Sequence, residues 1–156
     1  MEPDWPEHLK TVATMCGHVV GLGTLAQRKE TVQLQTQLLL ELHSLAHSGQ
    51  KGAIELMIAS VEHSSALIEI EDENFRGALV HIRKQLEMLE KLSAVNGDHI
   101  LIGPLEAEGN ILSQLQKYKE AGASYKRAMD IVSNLYGSEH VGLATLLMNC
   151  GISYYM

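Results

Sequence analysis

The chain has 156 residues, 46% of them hydrophobic and 20% charged, with three prolines and a formal net charge of −7. That length and apolar fraction describe one domain with a buried core and exclude a disordered polymer. The negative charge, with no basic cluster denser than Arg83-Lys84, excludes nucleic acid or an anionic membrane as the main partner.

In chain order, the start MEPDWPEH is acidic and proline-containing, unlike a secretory or mitochondrial leader, so the expected location is cytoplasmic. Residues 11–26 form the one long weakly polar run. The run is too short to span a bilayer and contains His18, which makes it a buried core helix. Two helical segments are predicted here, about residues 8–26 and 30–46, followed by a loop at 47–51. A long amphipathic helix follows at 52–70. The polar turn Glu71-Asp-Glu-Asn74 lets Asn74 cap the helix beginning at Phe75. In that helix Leu79, Ile82, Leu86 and Leu89 share one face. Gly97, within VNGDH, suits a left-handed turn. Pro104 fits the first turn of the next helix, which ends near Gln116. From Lys117 or Tyr118 to about residue 135, Tyr118, Ala121, Tyr125 and Ala128 alternate ring and methyl on one helical face. A loop at 136–140 leads into a last helix, LATLLMNCGISYYM. Aromatic residues reach only 4% and no strand alternation is visible, so the reading is all-α, antiparallel helix hairpins joined by short loops. Cys16 and Cys150 form no CxxC pair and read as reduced, buried thiols.

Paired helices call for a search for periodicity. A slide of 42 residues places Leu105 on Leu147 and Gly109 on Gly151, and the loops NGDH and YGSEH agree. With Leu112, Tyr118, Ala121, Tyr125 and Ala128, then Asn149 and Tyr154, these positions resemble tetratricopeptide repeats of the kinesin-light-chain-like type. The division expected is an N-terminal helical segment at 1–51 without repeat character, a degenerate repeat at 52–98, a clear repeat at 99–141, and the first helix of a further, truncated repeat at 142–156. In the degenerate unit Ala66, Phe75, Ala78 and Ile82 match, whereas Gln85 and Glu69 depart from the pattern.

The resemblance implies a short right-handed superhelix of stacked hairpins, in which Gly109 and Ala121 face one another at a helix crossing. It also implies a concave surface that binds a peptide or protein segment. Carried over position by position, that surface includes Ser60, His63, Leu67 and Ile70, then Glu106, Asn110, Ser113 and Gln114, then Thr145, Met148, Asn149 and Ile152. Asn149 matches an asparagine that holds a ligand backbone in such repeats. Repeats that hold acidic chaperone tails pair a lysine with an asparagine one turn on. Here Asn110 takes the asparagine place, but Glu106 stands where lysine is needed, so a carboxylate ligand is repelled. Neutral or basic, partly apolar ligands fit better.

Other constellations read as structure. His43 and His47 lie one helical turn apart beside Glu41, but no third ligand has suitable spacing, and half-exposed histidines are the plainer reading. Gly17, Gly21 and Gly23 lack the strand and the Lys-Ser/Thr of a phosphate loop and read as close helix packing. Glu69, Glu71, Asp72 and Glu73 lack calcium-loop spacing and read as a solvated corner. No nucleophile–base arrangement is visible and no enzyme is expected; the function that the resemblance implies is a non-catalytic protein-interaction adaptor or scaffold, without cofactor or metal. Met156 arrives as a first helix finishes, leaving Leu147, Ile152 and Tyr154 without a covering partner. The expectation is a fragment of a longer array, or a subunit whose C-terminal helix packs on another chain. A metal-binding helical domain around His43 and His47 is the remaining alternative.

Overall fold

The computed structural model describes residues 23–155, apart from the side chain of Tyr154. The expected helix at residues 8–26, with Cys16, Gly17, His18 and Gly21, lies almost wholly outside them. The first described helix, α1 (Leu25–Leu45), begins five residues before the expected Glu30. A capping box sets the start: the Thr24 hydroxyl accepts from the Gln27 backbone N–H at 3.3 Å, and the Gln27 side-chain Oε1 accepts from the Thr24 N–H at 2.9 Å.

Helix α2 (Ser48–Glu71) follows after only two residues, so the predicted loop at 47–51 is corrected to a helical first turn. Ser48, Gly49 and Gln50 look like loop residues. The first turn of a helix, however, has no intrahelical acceptor for its N–H groups and tolerates them well. His47 is extended there and its carbonyl accepts from the Gln50 N–H at 2.9 Å.

Helix α3 (Phe75–Asn96) starts at Asn74, whose side chain accepts from the Gly77 N–H at 3.1 Å. Its Leu79, Ile82, Leu86 and Leu89 are all buried. A 3-10 turn, Asp98–Leu101, then leads into α4 (Ile102–Gln114), so Pro104 is the third helical residue, inside the first turn. Helices α5 (Tyr118–Tyr136) and α6 (Gly142–Tyr155) complete the described chain.

Two kinds of loop recur. Between α2 and α3, and again between α4 and α5, three residues reverse the chain. The middle one, Glu73 or Gln116, is left-handed at φ 56° or 59°. The residue after it donates back to a first-helix carbonyl at 2.8 Å in both cases, Asn74 to Glu69 and Lys117 to Leu112. The second kind follows α3 and α5, where Gly97 and Gly137 sit at φ 87°, ψ 153° and φ 90°, ψ 163°. That region is essentially closed to residues with a Cβ. The hairpins α2/α3 and α4/α5 therefore share both their inner turn and their exit.

Packing runs chiefly between neighbours along the chain. One core cluster joins α1 to α2 through Val32, Leu39, Ile54, Ile58, Val61 and Ile68. A larger one runs from α2 to α6 and includes Ala66, Ile82, Leu105, Tyr125, Ala128 and Leu146. The nearest atoms to a Cβ placed on Gly109 belong to the Tyr125 ring, at 2.5–2.7 Å. The Tyr125 ring, one turn further along α5 than Ala121, occupies that space. Ala121 and Ala128 are themselves fully buried.

Candidate protein-interaction surface

Helices α4 and α6 lie side by side across α5, and their expected surface residues meet through polar groups. The Asn110 Oδ1 accepts from the Tyr125 hydroxyl at 2.7 Å and from the Asn149 amide at 3.5 Å. The Ser113 hydroxyl lies 3.1 Å from that of Ser153. Tyr125 reaches Asn110 because its ring passes over Gly109, where no side chain obstructs it. Burial, foremost, pushes the Tyr125 phenol above its ordinary value; a hydrogen bond to Ser113 pulls against this, and the nearby Glu106 charge adds to it.

The Asn110 carbonyl is thus committed inward, while its NH₂ and the Asn149 carbonyl have no partner among the described residues. Asn110, Gln114 and Thr145 are exposed, Glu106 and Asn149 are half-buried, and Met148 and Ile152 are 61% and 57% exposed. The α2 members stand apart from this group. His63 Nδ1 lies 3.2 Å from the Gln85 Oε1 of α3, which accounts for a polar residue at a position expected to be small. Leu67 and Ser60 are exposed, but Ile70 packs against the core. No hydrogen bond joins the α2 members to the α4 and α6 groups among the described residues.

Sequence reasoning missed a second concavity. An open cleft of about 580 Å³ lies between α1 and α3 with α2 as its floor, on the side of α2 away from Ser60 and Leu67. At its base Glu62, 3% exposed, accepts from His81 at 2.7 Å and from Lys84. The available signal was a glutamate in the buried phase of α2, one turn from both Ile58 and Ala66. Burial raises the Glu62 carboxyl, but the bonds from His81 and Lys84 outweigh it and hold it below its ordinary value. A depressed carboxyl contributes stability above its unfolded pKa of about 4.5 and loses it as pH falls through the lower folded value. Urea unfolding of wild type and Glu62→Gln is therefore expected to differ at neutral pH, with the gap closing on acidification below that point. A gap independent of pH would contradict the assignment.

The acidic turn is engaged rather than merely solvated. Lys29 Nζ lies 2.6 Å from Asp72 and 3.2 Å from Glu69, and Arg28 pairs with Glu71, fastening α1 to the α2–α3 corner. His43 lies 3.1 Å from Glu55, and among the described residues no three His, Cys, Asp or Glu side chains are placed to hold a metal ion. Cys150 is a buried free thiol. Among the described residues no helix is long and apolar enough to cross a membrane.

Residues 105–156, about a third of the chain, match the family model described as tetratricopeptide repeat. The chain is 25% identical over 129 residues to "Tetratricopeptide repeat protein 19 homolog, mitochondrial" of Drosophila melanogaster. That match takes in 82% of this chain and 35% of the fly protein, so the chain spans about a third of the length of this curated relative.

Proposed function

From these matches and an all-α fold of the tetratricopeptide helical-repeat kind, we propose that the chain is a non-catalytic protein-interaction module that takes a peptide or protein segment along the inner faces of α2, α4 and α6. Tetratricopeptide repeats generally mediate contacts between proteins. The observation that carries the reading is the Asn110–Asn149 pair. Two amides 39 residues apart in sequence, on different helices, meet on an open surface, leaving an adjacent donor and acceptor that match a peptide group.

The repeat division at 52–98, 99–141 and 142–156 and the kinesin-light-chain-like subtype belong to the same reading. They are supported by the 42-residue step from Gly109 to Gly151 and by the paired glycine exits at Gly97 and Gly137. The cytoplasmic location expected from the sequence is part of it too, although the fly relative's name says mitochondrial; co-localisation of tagged full-length protein with a mitochondrial marker would reject it.

The test compares wild type with an Asn110→Ala/Asn149→Ala variant as bait. Partners retained by wild type and lost from the variant are then rebound as purified proteins. Partner sets that do not change between the two baits would reject the inner face as the binding surface.

A second reading, an assembly subunit whose α6 packs on another chain, is favoured by one observation. Leu147 is 57% exposed where its counterpart Leu105 is 1% exposed, and nothing lies within 4 Å of a Cβ on Gly151. A sedimentation mass that rises with concentration and falls to monomer in Leu147→Glu would support it.

A further inference from the structure

Glu106 is a half-buried carboxylate with no hydrogen-bond or ion-pair partner among the described residues. Neighbouring carboxylates are occupied: Glu108 holds Arg83 at 2.9 Å and Ser124 at 2.9 Å, and Glu120 holds Arg83 at 3.2 Å and Lys117 at 3.0 Å. An unpaired, partly desolvated charge on an otherwise neutral face attracts an opposite charge from a partner more strongly than a fully solvated one does.

Its surroundings narrow what that partner carries. Glu106 lies one turn before Asn110 on α4, close enough for its charge to act on the Tyr125 phenol that bonds Asn110. The Asn149 carbonyl, next to Asn110, is a second free acceptor, and the Asn110 NH₂ is the free donor. On α6, Met148, adjacent to Asn149 in sequence, and Ile152, one turn on, expose apolar surface. An ammonium or guanidinium meets two acceptors here, the peptide carbonyl next to it meets the Asn110 donor, and a neighbouring apolar side chain meets Met148 and Ile152.

Resting on the interaction surface proposed above, we infer that the α4–α6 face selects a basic partner segment. A lysine or arginine seats on Glu106 and Asn149, and an aliphatic residue beside it lies on Met148 and Ile152. A segment with a carboxylate at that position is rejected by the same Glu106 charge.

The test uses two labelled heptapeptides of alternating leucine and serine that differ only at the centre, lysine in one and glutamate in the other, titrated by fluorescence anisotropy. The lysine peptide is expected to bind at least tenfold tighter, with affinity falling as salt rises. Glu106→Gln should erase most of that preference and Glu106→Lys should invert it; both changes lie at a partly exposed position, and circular dichroism checks that the fold is kept. Equal binding of the two peptides, or a preference unmoved by Glu106→Lys, overturns the inference. If both peptides bind equally and both are lost in Asn110→Ala/Asn149→Ala, the interaction surface stands and only its charge selection falls. If neither binds, the inference is overturned, while the partner comparison with the double variant still judges the surface by itself.

Discussion

Replacing Tyr125 with alanine is expected to lower the free energy of unfolding by about 3–5 kcal/mol, the range for deleting a buried aromatic side chain. The ring is 2% exposed and belongs to the core cluster that joins α2 to α6. It fills the space over Gly109, and its hydroxyl fixes Asn110. Tyr125→Phe keeps the ring and removes one hydrogen bond to a side chain that water reaches, at a cost of about 0.5–1.5 kcal/mol. Denaturant unfolding followed by circular dichroism measures both. Near-equal effects would mean that the hydroxyl, rather than the ring, carries the contact.

The second large effect is expected at Gly109. Elsewhere in a helix interior, glycine to alanine gains about 1 kcal/mol. At Gly109 a new Cβ would stand 2.5 Å from one carbon of the Tyr125 ring and 2.7 Å from two more. A buried ring has nowhere to retreat, so overpacking wins and Gly109→Ala should cost about 1–3 kcal/mol. Gly151→Ala is the control, since nothing lies within 4 Å of its Cβ; a small gain is expected there. In a Tyr125→Leu background the Gly109→Ala penalty should largely vanish, giving a coupling energy that a purely local helix effect would not show. A penalty unchanged in that background would reject the ring contact.

The packing of the Tyr125 ring on Gly109 shows where sequence reasoning runs out. Periodicity puts Tyr125 and Ala121 on one face of α5, and the resemblance marks Gly109 as the point where another helix approaches closely. Neither supplies the rotation of α4 about its axis, which sets the Tyr125 ring against the glycine. The cap at Asn74 and the turn at Gly97 were legible because each needs a residue type that advertises itself. The left-handed Glu73 and Gln116 were not, because neither is glycine or asparagine and the conformation is imposed by the hairpin that closes around it. Ser48 to Gln50 looked like loop because composition is a weak guide to a first turn, where no side-chain cap is formed and none is required.

For the surface, the sequence named the helices and the facing positions by resemblance, but hydrogen bonding changed their meaning. His63 is tied to Gln85, Ser113 to Ser153, and the Asn110 carbonyl to Tyr125. Among the described residues the Asn110 NH₂, the Asn149 carbonyl and the Glu106 carboxylate remain available to a ligand, beside the exposed Gln114 and Thr145. Glu62 and its cleft went unread for a related reason: its partners His81 and Lys84 are on another helix, and no spacing within α2 reveals them.

The recurrence of the same three-residue reversal and the same glycine exit has a consequence for how such a chain changes length. Each helix leans chiefly on its immediate neighbours in sequence, so duplicating or deleting one whole pair between two glycine exits would leave every surviving contact of the same kind as before. Growth by complete modules is structurally cheap, whereas the loss of a single helix strands an apolar flank on the one beside it.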